Sequence, residues 1–315
     1  QYVRALFQLQ EYTTDEAAVC WNDGNIFDLH NLCWTPSNEF VMAMYARIYF
    51  QIGLCNEVIR KVNQNPAGLT EEQFPTASRE QIKAEARALR ALSYYHAIDM
   101  FGNVPFSRET DEVGSEGPAQ ISRAELFAWL ETELKDLCGN EYLPDAGKNE
   151  YGRCDKGLAQ MLLAKLYLNA QVYAGVEKWQ ECADVCKTLM DEYGLHKTAV
   201  GGKYSAYQEL FCADNNKFWR NSTTPSGDEI IFAVEQDGML IRSYGCTTFL
   251  IFAAAGGDMD CEELGISSGW SGVSCPSQLS QLFADGDARK IFYTEYGIDM
   301  KNIMSKGGDA FKAQD

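Results

Sequence analysis

From Phe40 to Val62, apolar side chains recur at steps of three and four: Phe40, Val41, Met44, Tyr45, Ile48, Tyr49, Ile52, Cys55, Ile59 and Val62. Only a helix gathers that spacing on one face. The segment therefore predicts an amphipathic helix of about six or seven turns, entered at Ser37 just after Pro36. A stripe that long needs partners to bury it, because helices draw most of their stability from packing.

The following residues supply such partners. Ser78 to Gln81 reads as a Ser-x-x-Gln capping box that opens a helix over 79–101. Its predicted stripe is Ile82, Ala86, Leu89, Leu92 or Ser93, and His96 or Ala97. Gly102 ends it, and Pro105 prevents resumption. Ser122 to Glu125 is a second capping box, followed on one face by Leu126, Phe127, Leu130, Leu134 and Leu137. Residues 155–174 and 177–192 then predict two helices joined by a Gly-containing turn, an αα-hairpin.

That hairpin looks like a tetratricopeptide unit. Leu163, Ala164 and Tyr167 take the first-helix positions, and Cys182, Cys186 and Leu189 those of the second. Its linker is longer than a repeat of about 34 residues allows, and the earlier helices share no single period. Degenerate repeats and a plain helical bundle both fit.

Past residue 200 the texture changes: Gly, Ser, Thr and Asn rise and helical periodicity fades. Residues 228–238 read as a short strand, 242–252 as another extended piece, and 274–290 as a short helix centred on Gln278, Leu279, Leu282 and Phe283. The expected organisation is a helical scaffold over 1–200 with an irregular segment, 201–315, packed on it as one compact domain. Long irregular segments on a rigid frame are where binding usually resides.

Charge narrows the partners. Lys and Arg number 27 against 45 Asp and Glu, a net charge of −18. No stretch gathers a basic patch, so nucleic acid and anionic lipid are disfavoured. A neutral ligand such as a sugar is compatible. No apolar run is long enough to span a bilayer.

The eleven cysteines are scattered without a Cys-x-x-Cys, and the histidines, His30, His96 and His196, are far apart. A zinc cluster is therefore not expected, and most thiols read as small buried hydrophobes. Asp258-x-Asp260-x-Glu262 has the oxygen spacing of a calcium loop, but Glu263 stands where such a loop needs glycine. The segment reads instead as a turn before a solvated helix start. No metal or cofactor is expected.

Together these pieces resemble the SusD/RagB family. The stretches that carry the likeness include "LQEYTTDEAAV", "LHNLCWTPSNEF", "AEARALRALSYYHAIDMFGNVPF", "GRCDKGLAQMLLAKLYLNA" and "FLIFAAAGGDMDCEELGISSGWSGVSCPSQLSQLF". They fall in the family's order and cover most of the chain. The Glu-x-Arg-x-Leu-Arg-Ala signature with Phe-Gly-x-Val-Pro is the most specific.

The resemblance implies a mainly α fold, a tetratricopeptide-like right-handed helical superhelix with an irregular, minor-β ligand-binding part. It implies a non-catalytic glycan-binding protein of the outer-membrane cell surface that passes oligosaccharide to a SusC-like TonB-dependent transporter. Family members are longer at both ends and carry an N-terminal lipid anchor, which is absent from this sequence; the chain is expected to be a fragment. In the 84–106 helix, Arg87 and Arg90 are expected to pair with acidic neighbours.

Sugars present apolar faces and hydroxyl rims, so a site for them needs aromatic platforms and a few in-plane polar groups. Trp129 and Trp179 lie on helix patterns and read as core. Trp21, Trp34 and Trp270 lie in loop-like stretches. By region, the resemblance points to Trp34, Tyr244 and Trp270, with Asp15 and Asn38 as polar candidates. Two other functions compete: a glycoside hydrolase, which needs two carboxylates across a cleft, and a tetratricopeptide-type scaffold that binds a protein segment or takes up cargo such as peptides. No nucleophile or metal-protease motif supports the first.

Overall fold

The computed structural model describes residues 2–65, 67–114, 117–200, 204–211, 229–236, 245–256, 259, 266–290 and 292. In chain order its elements are α1 (Tyr2–Glu11), β1 (Ala18–Val19), α2 (Gly24–His30), α3 (Glu39–Gln64), α4 (Thr76–Phe101), β2 (Val104–Pro105) and β3 (Gln120–Ile121). Then come α5 (Arg123–Gly139), α6 (Lys156–Leu168), α7 (Ala170–Ala174), α8 (Trp179–Glu192), α9 (Ala206–Glu209), α10 (Thr247–Ala254), β4 (Val273–Ser274) and α11 (Ser277–Gln281). The fold is mainly α, as expected.

The chain divides into two compact units. One comprises Gln1–Arg47, His196–Asn215 and Gln236–Asp315, the other Ile48–Leu195 and Asn216–Glu235. These bounds differ from a cut at residue 200, because the N-terminal residues group with C-terminal ones.

In the second unit, Ile48, Ile52, Cys55 and Ile59 of α3 are buried, as the periodicity predicts. Phe50, Leu54 and Val58 stay exposed on the same helix. Helix α4 begins at Thr76, ahead of the predicted capping box. The Glu71 carboxylate accepts from the Thr76 N–H at 2.6 Å and its hydroxyl at 2.8 Å, capping the helix from outside and leaving Ser78 within it. Helix α4 also lacks a single buried stripe. Ala84, Ala86, Ala88, Ala91 and Ala97 sink around it together with Tyr94, Tyr95 and Ile98, while Ile82, Leu89, Leu92 and His96 are half-buried. Small residues let neighbouring backbones approach a central helix closely. Gly102 closes α4 with φ +71°, a left-handed backbone that glycine takes without a Cβ clash. Strand β2 then pairs antiparallel with β3.

Helix α5 carries the predicted capping box: the Glu125 N–H donates to the Ser122 hydroxyl at 3.2 Å, and the Ser122 N–H to the Glu125 carboxylate at 3.1 Å. Leu126, Phe127, Leu130, Leu134 and Leu137 are all buried. Each such side chain contributes about 1.5–3 kcal/mol. Helix α5 packs on α4 and α6, and α6 on α8, which is the predicted αα-hairpin. Its first arm is interrupted at Asn169, which splits it into α6 and α7. Leu163, Ala164, Tyr167 and Leu189 are buried as the tetratricopeptide reading requires, whereas Cys186 is exposed. Trp179, read as core, is 49% exposed. Its helix pattern fixes a face but not what covers that face.

Arg90 is 3% exposed, and its two terminal nitrogens donate to Asn56 Oδ1 at 2.8 Å, Glu133 Oε1 at 3.2 Å and the Glu109 carboxylate, while its buried Nε meets no acceptor among the described residues. Arg87 binds Glu133 through two nitrogens at 2.8 and 2.9 Å, and Asp136 at 2.7 Å. Both arginines thus take the structural role expected of them. Residues 229–236, expected as a strand, are not in one.

In the first unit, α1 packs on α10 and α2, and β1 pairs antiparallel with β4, Ala18 opposite Ser274 and Val19 opposite Val273. Its core gathers Tyr12, Ala17, Ile26, Leu29 and Phe40, with Phe7, Trp21 and Val273 against them. Residues 247–254, expected to be extended, form helix α10. The short helix predicted in 274–290 is α11. His196 and Glu209 form a buried pair at 2.6 Å, and Glu209 also accepts from the Val200 N–H at 2.9 Å.

The described cysteines are unbridged. Cys55, Cys154 and Cys246 are buried, but Cys20, Cys33, Cys186 and Cys275 are exposed, so burial accounts for only part of the set. Among the described residues no helix is long and apolar enough to cross a membrane.

Candidate functional site

The candidate residues that are described all belong to the first unit. Trp34 lies between α2 and α3 in a loop closed on itself. The Asn31 amide donates to the Phe27 carbonyl at 2.8 Å, the Cys33 N–H to the Asp28 carbonyl at 2.9 Å, and the Thr35 and Ser37 hydroxyls meet at 2.8 Å. Leu32 takes φ +56°, a strained backbone for a side chain of its size. The loop leaves Trp34 45% exposed, beside Phe27 at 47% and Leu32 at 62%, and no ring contacts Trp34 among the described residues.

Trp270 is held differently. Its N–H donates to the Phe252 carbonyl, and those of Ser271 and Gly272 to the Ala255 and Ala253 carbonyls, each at 2.8 Å. Its half-buried indole packs against Phe252, Phe249 and Trp21, with ring centroids at 4.8, 5.8 and 6.3 Å. The Trp21 Nε1–H donates to the Trp270 carbonyl at 3.3 Å. Ser271, the next residue, has φ +49°. Each of the two candidate tryptophans therefore lies within two residues of a left-handed, non-glycine backbone.

Asp15 is exposed in the turn after α1, where the Glu16 N–H donates to the Thr14 hydroxyl at 3.1 Å. Asn38 is only 2% exposed. Its carbonyl accepts from the Phe40 and Val41 N–H groups at 3.0 and 3.4 Å, and its amide donates to the Asn25 carbonyl at 2.7 Å. It is the cap that starts α3 at Glu39 rather than Ser37, and its side chain is engaged with backbone instead of facing a ligand. Tyr244 lies outside the described residues, as do Asp258, Asp260, Glu262 and Glu263 of the calcium-like segment.

No ring contact joins Trp34 to Trp270 among the described residues. The turns of Asp15 and Trp270, however, border one cavity of about 550 Å³, lined by Glu16, Ser271, Phe7, Glu11, Cys20 and Val273. Sequence reading missed Arg4. Its guanidinium lies over Phe249 at 3.6 Å and Phe40 at 5.0 Å from the ring centroids. Burial lowers its pKa, against the opposing charges of Tyr12, Glu39 and Asp23. A single arginine in an amphipathic segment gives no sequence signal of that position. Chemically, the arrangement offers an exposed indole on a constrained loop, with carboxylates elsewhere in the unit to accept hydroxyl hydrogens.

Comparison with known proteins follows the same lines. Residues 3–168 match the SusD-like family model described as "Starch-binding associating with outer membrane". The starch-binding protein SusD of Bacteroides thetaiotaomicron is 29% identical over 286 residues, covering 90% of this chain and 46% of that protein. A SusD superfamily structure from Parabacteroides distasonis superposes with a TM-score of 0.68 at 18% identity, covering 91% of this chain and 55% of the other. Surface glycan-binding protein A from B. thetaiotaomicron, solved in complex with laminarihexaose, gives 0.65 at 18% identity, covering 90% and 56%. The chain thus spans about half the length of these relatives, and the structural matches carry the helical, tetratricopeptide-like fold. On the family match, supported by that fold, the chain belongs to the SusD/RagB family.

Proposed function

We propose that this chain belongs to a non-catalytic, cell-surface protein that binds oligo- or polysaccharide and delivers it to a TonB-dependent transporter of the outer membrane, to which a lipid anchor tethers it. The observation that carries this reading is the exposed Trp34 indole, held on a loop inside the family-matched region. An indole fixed before the ligand arrives loses little entropy on stacking against a sugar face. Two relatives named for glucan ligands, starch and laminarihexaose, support the choice of ligand class. Trp270 and Asp15 are the remaining described candidates, with Tyr244 beside them in the proposal.

A protein-contact role for the helical unit is a companion reading. Leu168, Val172 and Val176 recur every fourth residue at the α6–α8 hairpin and are 57%, 62% and 41% exposed, with Trp179 following. Such a run is apolar enough for a partner surface, and the transporter is the partner proposed.

The test is native electrophoresis in gels containing α- or β-glucans, paired with a reducing-end assay. Retardation by a glucan, lost in Trp34→Ala and unaccompanied by new reducing ends, is the expected result. Indifference to every polysaccharide overturns binding, and released reducing ends overturn the non-catalytic assignment.

A further inference from the structure

Helix α8 carries sulfur on three successive turns of one ridge: Cys182, Cys186 and Met190, each four residues from the next. Side chains at that spacing are neighbours, with Cβ atoms about 5–6 Å apart. Cys182 is half-buried, and its thiol donates to the Ala164 carbonyl of α6 at 3.4 Å. Burial first, and then the charge and hydrogen bond of the Cys186 thiol, raise its pKa: the two thiols are in hydrogen-bonding contact. Cys186 is exposed and Met190 is 78% exposed, so packing accounts for neither. Both residue types ordinarily go inside.

We propose that Cys182 and Cys186 bind one soft monovalent cation of the copper(I) class, with the Met190 thioether next in the row as the weaker donor. Thiolate and thioether sulfur select soft cations, and two sulfurs on a line satisfy copper(I). Zinc, calcium and magnesium need four or more donors. Among the described residues no group of three or more His, Cys, Asp or Glu gathers to supply them. A disulfide does not compete for the thiols. It needs Cβ atoms about 3.5–4.5 Å apart, which the helix spacing exceeds, so oxidation would have to unwind α8. A bridging cation spans the wider gap. On binding, each thiol releases its proton to solvent and two sulfur–metal bonds form, with no change in oxidation state. Cys182 gives up its bond to the Ala164 carbonyl with that proton, and occupancy falls as pH drops. Helical Cα–Cβ bonds tilt toward the N-terminus, which directs Met190 toward Cys186.

The experiment is anaerobic titration of the full chain with copper(I) held by bicinchoninate, whose coloured complex bleaches as the protein takes up copper. One ion per chain should resist an excess of chelator that strips single exposed thiols such as Cys20 and Cys275. Cys186→Ser should weaken that ion by at least about a hundredfold, since the remaining thiol loses the gain of binding as a pair. Cys186 is exposed, so the melting temperature should not change. Adding Lys187→Cys to Cys186→Ser restores the number of thiols but turns one about 100° round the helix, and should not restore binding. Met190→Leu keeps both thiols and should weaken binding by less, and Cys275→Ser should leave it unchanged. Four results would overturn the proposal: no ion held against the chelator; retention indifferent to Cys186→Ser; recovery on adding Lys187→Cys; or a loss in Met190→Leu as large as in Cys186→Ser. No polysaccharide enters the assay, so this site and glycan binding at Trp34 can each fail alone.

Discussion

Tyr94 and Ser107 exchange two hydrogen bonds: the phenol donates to the Ser107 carbonyl and accepts from the Ser107 N–H, both at 2.8 Å. A side chain of α4 thereby takes the place of a strand neighbour for the segment after β2, and its ring packs on Phe106 and Trp129 at 5.2 Å. Tyr94→Phe keeps the ring and orphans both backbone groups. It should cost about 1–3 kcal/mol in urea unfolding, with native helix content by circular dichroism. A neutral result would mean that water replaces the phenol at no cost.

Arg90 makes a sharper prediction. It is almost wholly enclosed, and Glu133 beside it is 12% exposed. Arg90→Met removes the cation and leaves Glu109 and Glu133 facing each other in its place, so a loss of about 3–5 kcal/mol is expected. Adding Glu133→Gln should recover part of that loss, since it removes one stranded charge. A double mutant less stable than Arg90→Met alone would show that Arg87 needs Glu133 more than Arg90 does.

His96 gives the chain a pH-dependent term. Burial first, then the nearby Lys165 charge, lower its pKa from 6.5 to about 4, with Asp99 opposing. In the unfolded chain the imidazole takes up a proton near pH 6.5, while in the fold it stays neutral until about pH 4. The unfolded state therefore binds more protons in that window, and stability must fall as pH drops from 6.5 to 4, by up to about 3 kcal/mol. In His96→Gln the unfolding free energy should lose that slope, measured by urea titration at several pH values against the parent.

The helices could be read locally because a 3.6-residue period is a property of neighbours in sequence. The five buried residues of α5 and its capping box show how far that goes. Where a feature depended on something distant, local reading failed. Glu71 starts α4 earlier than Ser78 would, and the Asn38 side chain that caps α3 is held in place by its amide's bond to the distant Asn25 carbonyl. Helix α10 is apolar on all sides, with Phe249 and Ala253 buried, and its β-branched and aromatic residues favour an extended reading until tertiary contacts decide. Of the site, the loop placement of Trp34 was legible, but the same reading covered Trp21 and Trp270, which pack against each other in a ring stack. The placing of Arg4 over Phe249 and Phe40 was not legible, since residues this far apart in sequence meet only in the tertiary structure.

The two described tryptophan candidates should separate experimentally. Trp34 is 45% exposed and has no ring neighbour among the described residues, so Trp34→Ala should abolish gel retention and leave the melting temperature within the range of a surface change, about 0.5 kcal/mol. Trp270 closes a ring stack, so Trp270→Ala should cost about 3 kcal/mol whatever it does to retention. If Trp270→Ala weakens retention no more than its loss of folded protein explains, Trp270 is a support for the stack and not a platform.

Glycine supplies the last contrast. A Cβ at Gly272 would lie 2.0 Å from two atoms of the Trp21 ring, far inside contact distance. The backbone there cannot retreat, since the Gly272 N–H donates to the Ala253 carbonyl at 2.8 Å and its carbonyl accepts from the Cys20 N–H at 2.9 Å. Gly272→Ala must therefore drive Trp21 off the ring stack it shares with Trp270 and Phe249, at a cost of about 1–3 kcal/mol, and shift the tryptophan emission. Gly53 is the opposite case. It sits within α3 with nothing within 4 Å of where a methyl group would project, so Gly53→Ala should stabilise the chain by about 0.4–1 kcal/mol through the unfolded state. Equal effects of the two substitutions would mean that Trp21 yields freely, and the stack could not then hold the Trp270 turn in its strained backbone.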